Sequence, residues 1–326
     1  MALVPIVVAA AVVAGLRLIG SHSRGIGSGV VVIETNLGYQ GAQAAGTGMV
    51  LTPSGRVLTN NHVIRGATQI RLRVPGTNRS YSARVVGYDV PDDVAILQAS
   101  GASNLTTVSV GSSSGLQVGQ SVQALGNAGG TGRLTPAPGT VTGLGRGITV
   151  SDDQGGSESL HGMIETDAAV RPGDSGGPLL DSGGHVIGMD TAASEGNAPG
   201  ASSANQGFAI PIDRALSIAG QITRGEQSAS VHVGGTAFLG VEAGEASYQG
   251  SGAVVASVVP GSPADAAGFA PGDLITSVGG HAISSPDDLS AVVATQKPGA
   301  SVSAVILDQS GNAYTTNLKL ASGPPR

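Results

Sequence analysis

From Val30 to Ile210 the chain is written in short runs rich in Val, Ile and Leu, each closed within a few residues by Gly, Pro, Asn or Asp. The runs recur at intervals of roughly ten residues, and that rhythm belongs to a β-barrel or β-sandwich. Glycine supplies the turns: it makes up 53 of 326 residues, well above the usual share of about 7%. Strands are expected over 30–34, 46–51, 56–59, 70–74, 82–88, 94–97, 121–126, 140–144, 148–150, 163–166, 179–180, 185–190 and 207–210. Residues 38–46, 127–139 and 152–159 read as loops. Pro211 opens a helix that sets Ala215, Leu216, Ala219 and Ile222 at helical spacing.

After a polar linker over 225–231 the pattern changes. Strands over 237–241, 253–259, 273–278, 302–307 and 314–320 alternate with a short helix over 263–267 and a second helix after Ser285. That second helix has a serine N-cap, Pro286 at its first position and Asp288 at its third. Residues 232–323 therefore form a separate small α+β domain.

At the other end, residues 2–16 are uncharged and apolar, followed by Arg17. Fifteen residues fall short of the ~20 that a spanning helix needs and suit the core of a signal peptide. With Arg17 snorkelling, the run to Ile19 serves as a membrane anchor instead. Either way, 1–19 exports the remainder, to be secreted or held at the cell envelope, and 20–29 is a flexible tether. The chain carries a net charge of −6 with no basic cluster, which argues against nucleic acid as a partner. It has no cysteine, hence no disulfide, thiolate metal site or cysteine nucleophile. No His or acidic spacing suggests a metal, and no cofactor is expected.

One stretch carries chemistry on its face: Arg171-Pro172-Gly173-Asp174-Ser175-Gly176-Gly177-Pro178. Glycines and prolines around a serine allow a turn that holds the hydroxyl out, with the amides of Gly173 and Ser175 pointing the same way. Serine nucleophiles need that combination of exposed hydroxyl and aimed donors. His62, in Asn60-Asn61-His62, is presented at a strand end, and Asp93 stands at the mouth of the apolar strand Val94-Ala95-Ile96-Leu97. In the order His…Asp…Ser they make a Ser-His-Asp set: Ser175 attacks, His62 takes its proton, and Asp93 orients the ring. Asp92 is a neighbouring rival for the acid's role.

These motifs, Thr59-Asn60-Asn61-His62-Val63, Asp93-Val94-Ala95-Ile96-Leu97 and Gly173-Asp174-Ser175-Gly176-Gly177-Pro178, together with Gly207-Phe208-Ala209-Ile210-Pro211, resemble the HtrA (Deg) family of trypsin-like serine proteases, in particular actinobacterial exported members. The resemblance implies two six-stranded β-barrels over 30–224, with the site in the cleft between them, followed by a PDZ domain over 232–323. It implies oxyanion donors among Gly173, Asp174 and Ser175. It also places Ala169 at the base of the specificity pocket, with walls near Met189 and Thr191, so cleavage is expected after small or medium apolar residues rather than Lys or Arg. In the PDZ domain, Phe238-Leu239-Gly240-Val241 would receive a peptide C-terminus beside an added strand, with Leu289, Val292 and Val293 lining the other wall. Partners are then protein substrates and C-terminal peptides, with assembly as a homotrimer.

Two other readings use the same residues. A silent protease fold would bind peptides as a chaperone, but all three triad positions are intact. An esterase would show the strand–elbow–helix Gly-x-Ser-x-Gly and the order Ser…Asp…His, which this chain lacks.

Overall fold

The computed structural model describes residues 27–39, 41–151, 157–194, 206–245 and 251–325. The apolar run 1–19, and the tether as far as residue 26, lie outside the described residues. Among those described, no helix is long and apolar enough to cross a membrane.

Strands β1 (Val30–Leu37), β2 (Ala42–Val50), β3 (Arg56–Thr59), β4 (Gln69–Arg73), β5 (Ser80–Asp89) and β6 (Val94–Ala99) pair in the order β5-β4-β1-β2-β3-β6. A β5–β6 pairing closes the ring. The one-turn helix α1 (Asn61–Ile64) follows β3. Strands β7 (Ser121–Gly126), β8 (Thr135–Ser151), β9 (Ser157–Thr166), β10 (Pro178–Asp181), β11 (Val186–Ser194) and β12 (Gln206–Pro211) form a second closed six-stranded barrel. Helix α2 (Ile212–Arg224) leaves it and ends on Gly225, whose φ of +77° suits a left-handed cap.

The strands of the first barrel are apolar on both faces, and alternation divides them between two cores. Val31, Ile33, Val57, Ala95 and Leu97 fill the inside of the first barrel. Their neighbours Val30, Leu58, Val94 and Ile96 turn the other way, into a shared core with Met163, Met189 and Ile210 of the second barrel and Ile212, Ala215 and Ile222 of α2. Each of the Val, Leu, Ile and Met side chains among them contributes about 1.5–3 kcal/mol on burial. The shared core locks the two barrels face to face, and the cleft between them becomes a fixed geometry.

Several elements differ from the sequence expectation. β2 starts at Ala42, so the loop expected over 38–46 shrinks, because β1 and β2 stay paired as far as Leu37 and Ala42. The two strands expected over 140–144 and 148–150 are one, and it begins within the expected loop, at Thr135. The last residues of the tether are not free: Val50 N donates to Gly29 O at 2.8 Å. The expected linker also ends in structure, since β13 (Val231–Val233) pairs with β5.

The C-terminal unit proper begins at β14 (Thr236–Phe238) and continues through β15 (Val241–Glu245), β16 (Ala253–Val258), helix α3 (Pro263–Ala266), β17 (Leu274–Val278), β18 (His281–Ala282), helix α4 (Pro286–Thr295), β19 (Ser301–Leu307), β20 (Ala313–Lys319) and β21 (Ala321–Gly323). β14 pairs with β21, and β15-β16-β17-β19-β20 form a sheet with β15 at its edge. The Ser285 hydroxyl caps α4 by accepting from Asp288 N at 3.1 Å, as the sequence led one to expect.

Candidate active site

His62 sits on the single turn of α1 and not at a strand end. Buried Val63 and Ile64 hold that turn, and Asn60 Nδ2 donates to the Asp93 carbonyl at 2.9 Å. Val63 packs so closely on Gly46 that a Cβ there would lie 2.6 Å from its Cγ1.

Asp93 closes the turn before β6 with φ at +51°, a left-handed conformation that costs a non-glycine residue about 1–2 kcal/mol. Its carboxylate, 1% exposed, would be expensive to bury alone. It accepts from His62 N at 2.9 Å, from His62 Nδ1 at 2.8 Å and from Thr191 Oγ1 at 2.5 Å. A carboxylate accepts only, so Nδ1 carries a proton in this contact, which fixes the ring's orientation. Asp92 is taken out of contention: it pairs with Arg214 on α2.

Ser175 Oγ donates to the Thr191 carbonyl at 3.1 Å. Thr191 therefore touches both ends of the set, its hydroxyl on Asp93 and its carbonyl on Ser175. Its side chain, expected at a pocket wall, turns toward the first barrel and bonds Asp93 there. Met189, expected beside it, is fully buried in the shared core. Ala169 is half-buried on the segment between β9 and the serine turn, with no acidic group of its own.

Of the three expected oxyanion donors, two remain. The Asp174 amide donates to Arg171 O at 2.9 Å, and the Asp174 carboxylate accepts back from Arg171 N at 2.9 Å, so this residue closes the turn. Among the described residues, neither the Gly173 nor the Ser175 amide donates to a protein acceptor. Gly173 has φ at +96°, and a Cβ there would lie 2.3 Å from Asn127 O, so only glycine fits. Pro172 O accepts from Gly129 N at 2.8 Å, and in a trans peptide this directs the Gly173 N–H away from that loop.

Behind the turn, Asp190 is fully buried and bonded through its backbone to Gly176 and Gly177, while neither carboxyl oxygen makes a hydrogen bond among the described residues. Burial, then the neighbouring Asp174, pushes its pKa well up, against the pull of the Leu125 amide. Burial raises Asp174 too, against the pull of the Arg171 amide and guanidinium.

The C-terminal unit offers a second pair of open amides. Gly240 has φ at +91°, and its carbonyl accepts from Val259 N at 2.9 Å. Among the described residues, the Leu239 and Gly240 amides donate to no protein acceptor. They stand at the head of edge strand β15, opposite α4. Leu289 is buried in the core of this unit, whereas Val292 and Val293 are half-buried, so of the expected lining residues these two keep surface to offer. Phe238 stacks on Tyr39 of the β1–β2 turn, with ring centroids 4.9 Å apart.

Residues 46–189 match the trypsin-like peptidase domain family, and residues 254–307 match the PDZ domain family. The chain is 36% identical over 304 residues to the serine protease PepD of Mycobacterium tuberculosis, an overlap of 89% of this chain and 63% of that protein. It is 36% identical over 277 residues to the periplasmic pH-dependent serine endoprotease DegQ of Escherichia coli, an overlap of 80% of this chain and 56% of that protein. The chain thus spans less than two thirds of the length of either relative. Among solved structures, the HtrA-type protease AlgW with tripeptide superposes with a TM-score of 0.53 at 30% identity, covering 93% of this chain and 96% of that one.

Proposed function

The chain belongs to the HtrA-type trypsin-like serine proteases, a peptidase domain followed by a PDZ domain, and on that premise we propose that it is a serine endopeptidase of unfolded or misfolded exported proteins. The observation that carries this reading is that Asp93 holds His62 Nδ1 and the Thr191 hydroxyl, while the carbonyl of the same Thr191 holds Ser175 Oγ, which brings the three residues to one site. Catalysis begins when the Ser175 hydroxyl swings from Thr191 O toward His62 Nε2. Nε2 takes the proton as Oγ attacks the peptide carbonyl, and the Gly173 and Ser175 amides receive the oxyanion. The imidazolium, held by Asp93, then protonates the leaving amine, and water releases the acyl group by the same path in reverse.

Ala169 at the pocket base favours small or medium apolar side chains; a peptide panel cut preferentially after Lys or Arg would overturn that assignment. The Leu239 and Gly240 amides suit the carboxylate of a peptide C-terminus, with its backbone added to β15. Export fits the apolar run 1–19 and the periplasmic description of DegQ. Assembly as a homotrimer completes the reading, and light scattering on the purified protein measures it.

The test compares the purified chain with Ser175→Ala on an unfolded protein such as casein, with and without C-terminal peptides. Cleavage by the first and none by the second is expected. Equal inertness in both, alongside suppressed aggregation of a denatured client, would instead favour a peptide-binding chaperone.

A further inference from the structure

Thr47 lies on β2 between two glycines whose missing side chains let the strand press against its neighbours: a Cβ on Gly48 would lie 2.7 Å from Val57. It is fully buried and belongs to the first barrel, yet most of its bonds go to the second. Its amide donates to the Ser175 carbonyl at 2.9 Å. Its hydroxyl donates to the Gly173 carbonyl at 2.7 Å and accepts from the Asn127 amide at 2.9 Å. Its own carbonyl accepts from Thr59 Oγ1 at 2.7 Å. A single side-chain oxygen thus joins the serine turn to the start of the β7–β8 loop, from outside both.

The consequence follows from the planarity of the peptide bond. Gly173 is the hinge of the oxyanion donors, since a glycine at positive φ has the widest choice of backbone angles. The peptide before it is held at Pro172 O by Gly129 N. The peptide after it is held at Gly173 O by the Thr47 hydroxyl and at Asp174 N by Arg171 O. Turning Gly173 swings its carbonyl, and the Thr47 hydroxyl is the side chain that resists this swing. We propose that Thr47 is a positioning residue for the oxyanion donors, fixing the Gly173 and Ser175 amides before substrate arrives. The inference rests on the protease reading above.

The experiment measures kcat and KM on an apolar peptide substrate for the full chain and for Thr47→Ser, Thr47→Val and Thr47→Cys. Each rate is normalised to Ser175 titrated with a fluorophosphonate. Thr47→Ser keeps the hydroxyl and is expected to retain kcat within about threefold. Thr47→Val is expected to lose kcat about 10- to 100-fold with KM little changed, the range set by misplacing a group by about 1 Å and by losing an oxyanion donor. Affinity for a peptide boronate, which presents a tetrahedral oxyanion, should fall in parallel. Damage to folding alone would lower the titrated fraction and leave kcat per site intact.

If Thr47→Val does not fold, the Ser and Cys variants decide the matter. They differ in one atom, oxygen against a weakly hydrogen-bonding sulfur, in a chain with no other cysteine. A kcat for Cys at least tenfold below Ser supports the positioning role; equal values overturn it. An unaltered chain whose cleavage does not depend on Ser175 would sink the protease reading itself, and that outcome is visible before any Thr47 variant is made.

Discussion

The serine turn and the PDZ loop solve one problem with different materials. Each presents two open backbone amides beside a positive-φ glycine, at Gly173 and Ser175 in one and at Leu239 and Gly240 in the other. Each suits a negatively charged oxygen. Around the serine turn, one buried side chain from a distant segment, Thr47 of β2, holds the backbone at Gly173 O, while the Asp93 carboxylate and the Thr191 hydroxyl bond each other and the Thr191 carbonyl receives the Ser175 hydroxyl. Around the PDZ loop the supports are mostly backbone, with Val259 N and Ala264 N donating to Gly240 O and Leu239 O, joined by one side chain, Ser262. A reaction needs its donors held tightly at the transition state, whereas a peptide C-terminus can be met by a loop and an edge strand that adjust.

The largest effect should come from the side-chain network. Asp93→Asn keeps the shape but offers an amide to His62 Nδ1, which favours the wrong tautomer, and kcat is expected to fall about 10⁴-fold at neutral pH. Steady-state kinetics on the titrated enzyme checks it; a loss under tenfold would mean that the carboxylate does not set the ring.

Next come the two glycines, a direct contrast of the two sites. Gly173→Ala forces a Cβ against Asn127 O, and kcat should drop about 10²- to 10³-fold, as for a lost oxyanion donor. Gly240→Ala places a Cβ 2.1 Å from the Ser262 Cβ, and peptide affinity by fluorescence anisotropy should weaken at least about tenfold. If Gly173→Ala weakens the peptide just as much, the two sites are not independent.

The contrast also explains what could be read from sequence. Ser175, His62 and Asp93 were legible because each stands in a short motif whose residue types and order match a Ser-His-Asp set. The support of Thr191 for two of them was hidden, since nothing in Asp190-Thr191-Ala192 says which face of β11 it takes. Sequence does not separate Asp174 from the two open donors beside it, because amide direction is a property of the folded turn, where its N–H goes to Arg171 O. Strand β8 was cut short by its prolines. Pro136 and Pro138 face β7 partners only, while pairing with β9 begins at Val141, so their missing N–H groups cost nothing on the open edge. In the PDZ unit, Leu289 and Val292 share one apolar pattern, and packing alone sends the first into the core.

A smaller effect separates the sites by pH. Asp190 has its pKa raised by burial and by Asp174, so the folded state holds a proton that the unfolded chain releases above about pH 4. The stability it contributes is complete below the unfolded value and is lost as pH rises through the folded one. Asp190→Asn should therefore raise Tm at pH 8 by a few degrees more than at pH 4, by differential scanning calorimetry, and a flat difference would refute the buried proton. The smallest effect is expected at Tyr39, stacked on Phe238. Tyr39→Ala removes about 0.5–1.5 kcal/mol of ring contact and should change PDZ peptide affinity about two- to tenfold. No change would leave that contact without influence on the groove.

The central claim is that Ser175 is a nucleophile activated by His62 and Asp93. Mass spectrometry after fluorophosphonate treatment tests it most directly, because the adduct marks the attacking atom whatever the natural substrate. The expected result is a single adduct on Ser175 that forms at least about 10³-fold more slowly in His62→Ala. An adduct on another serine, or labelling of Ser175 indifferent to His62, would contradict the account.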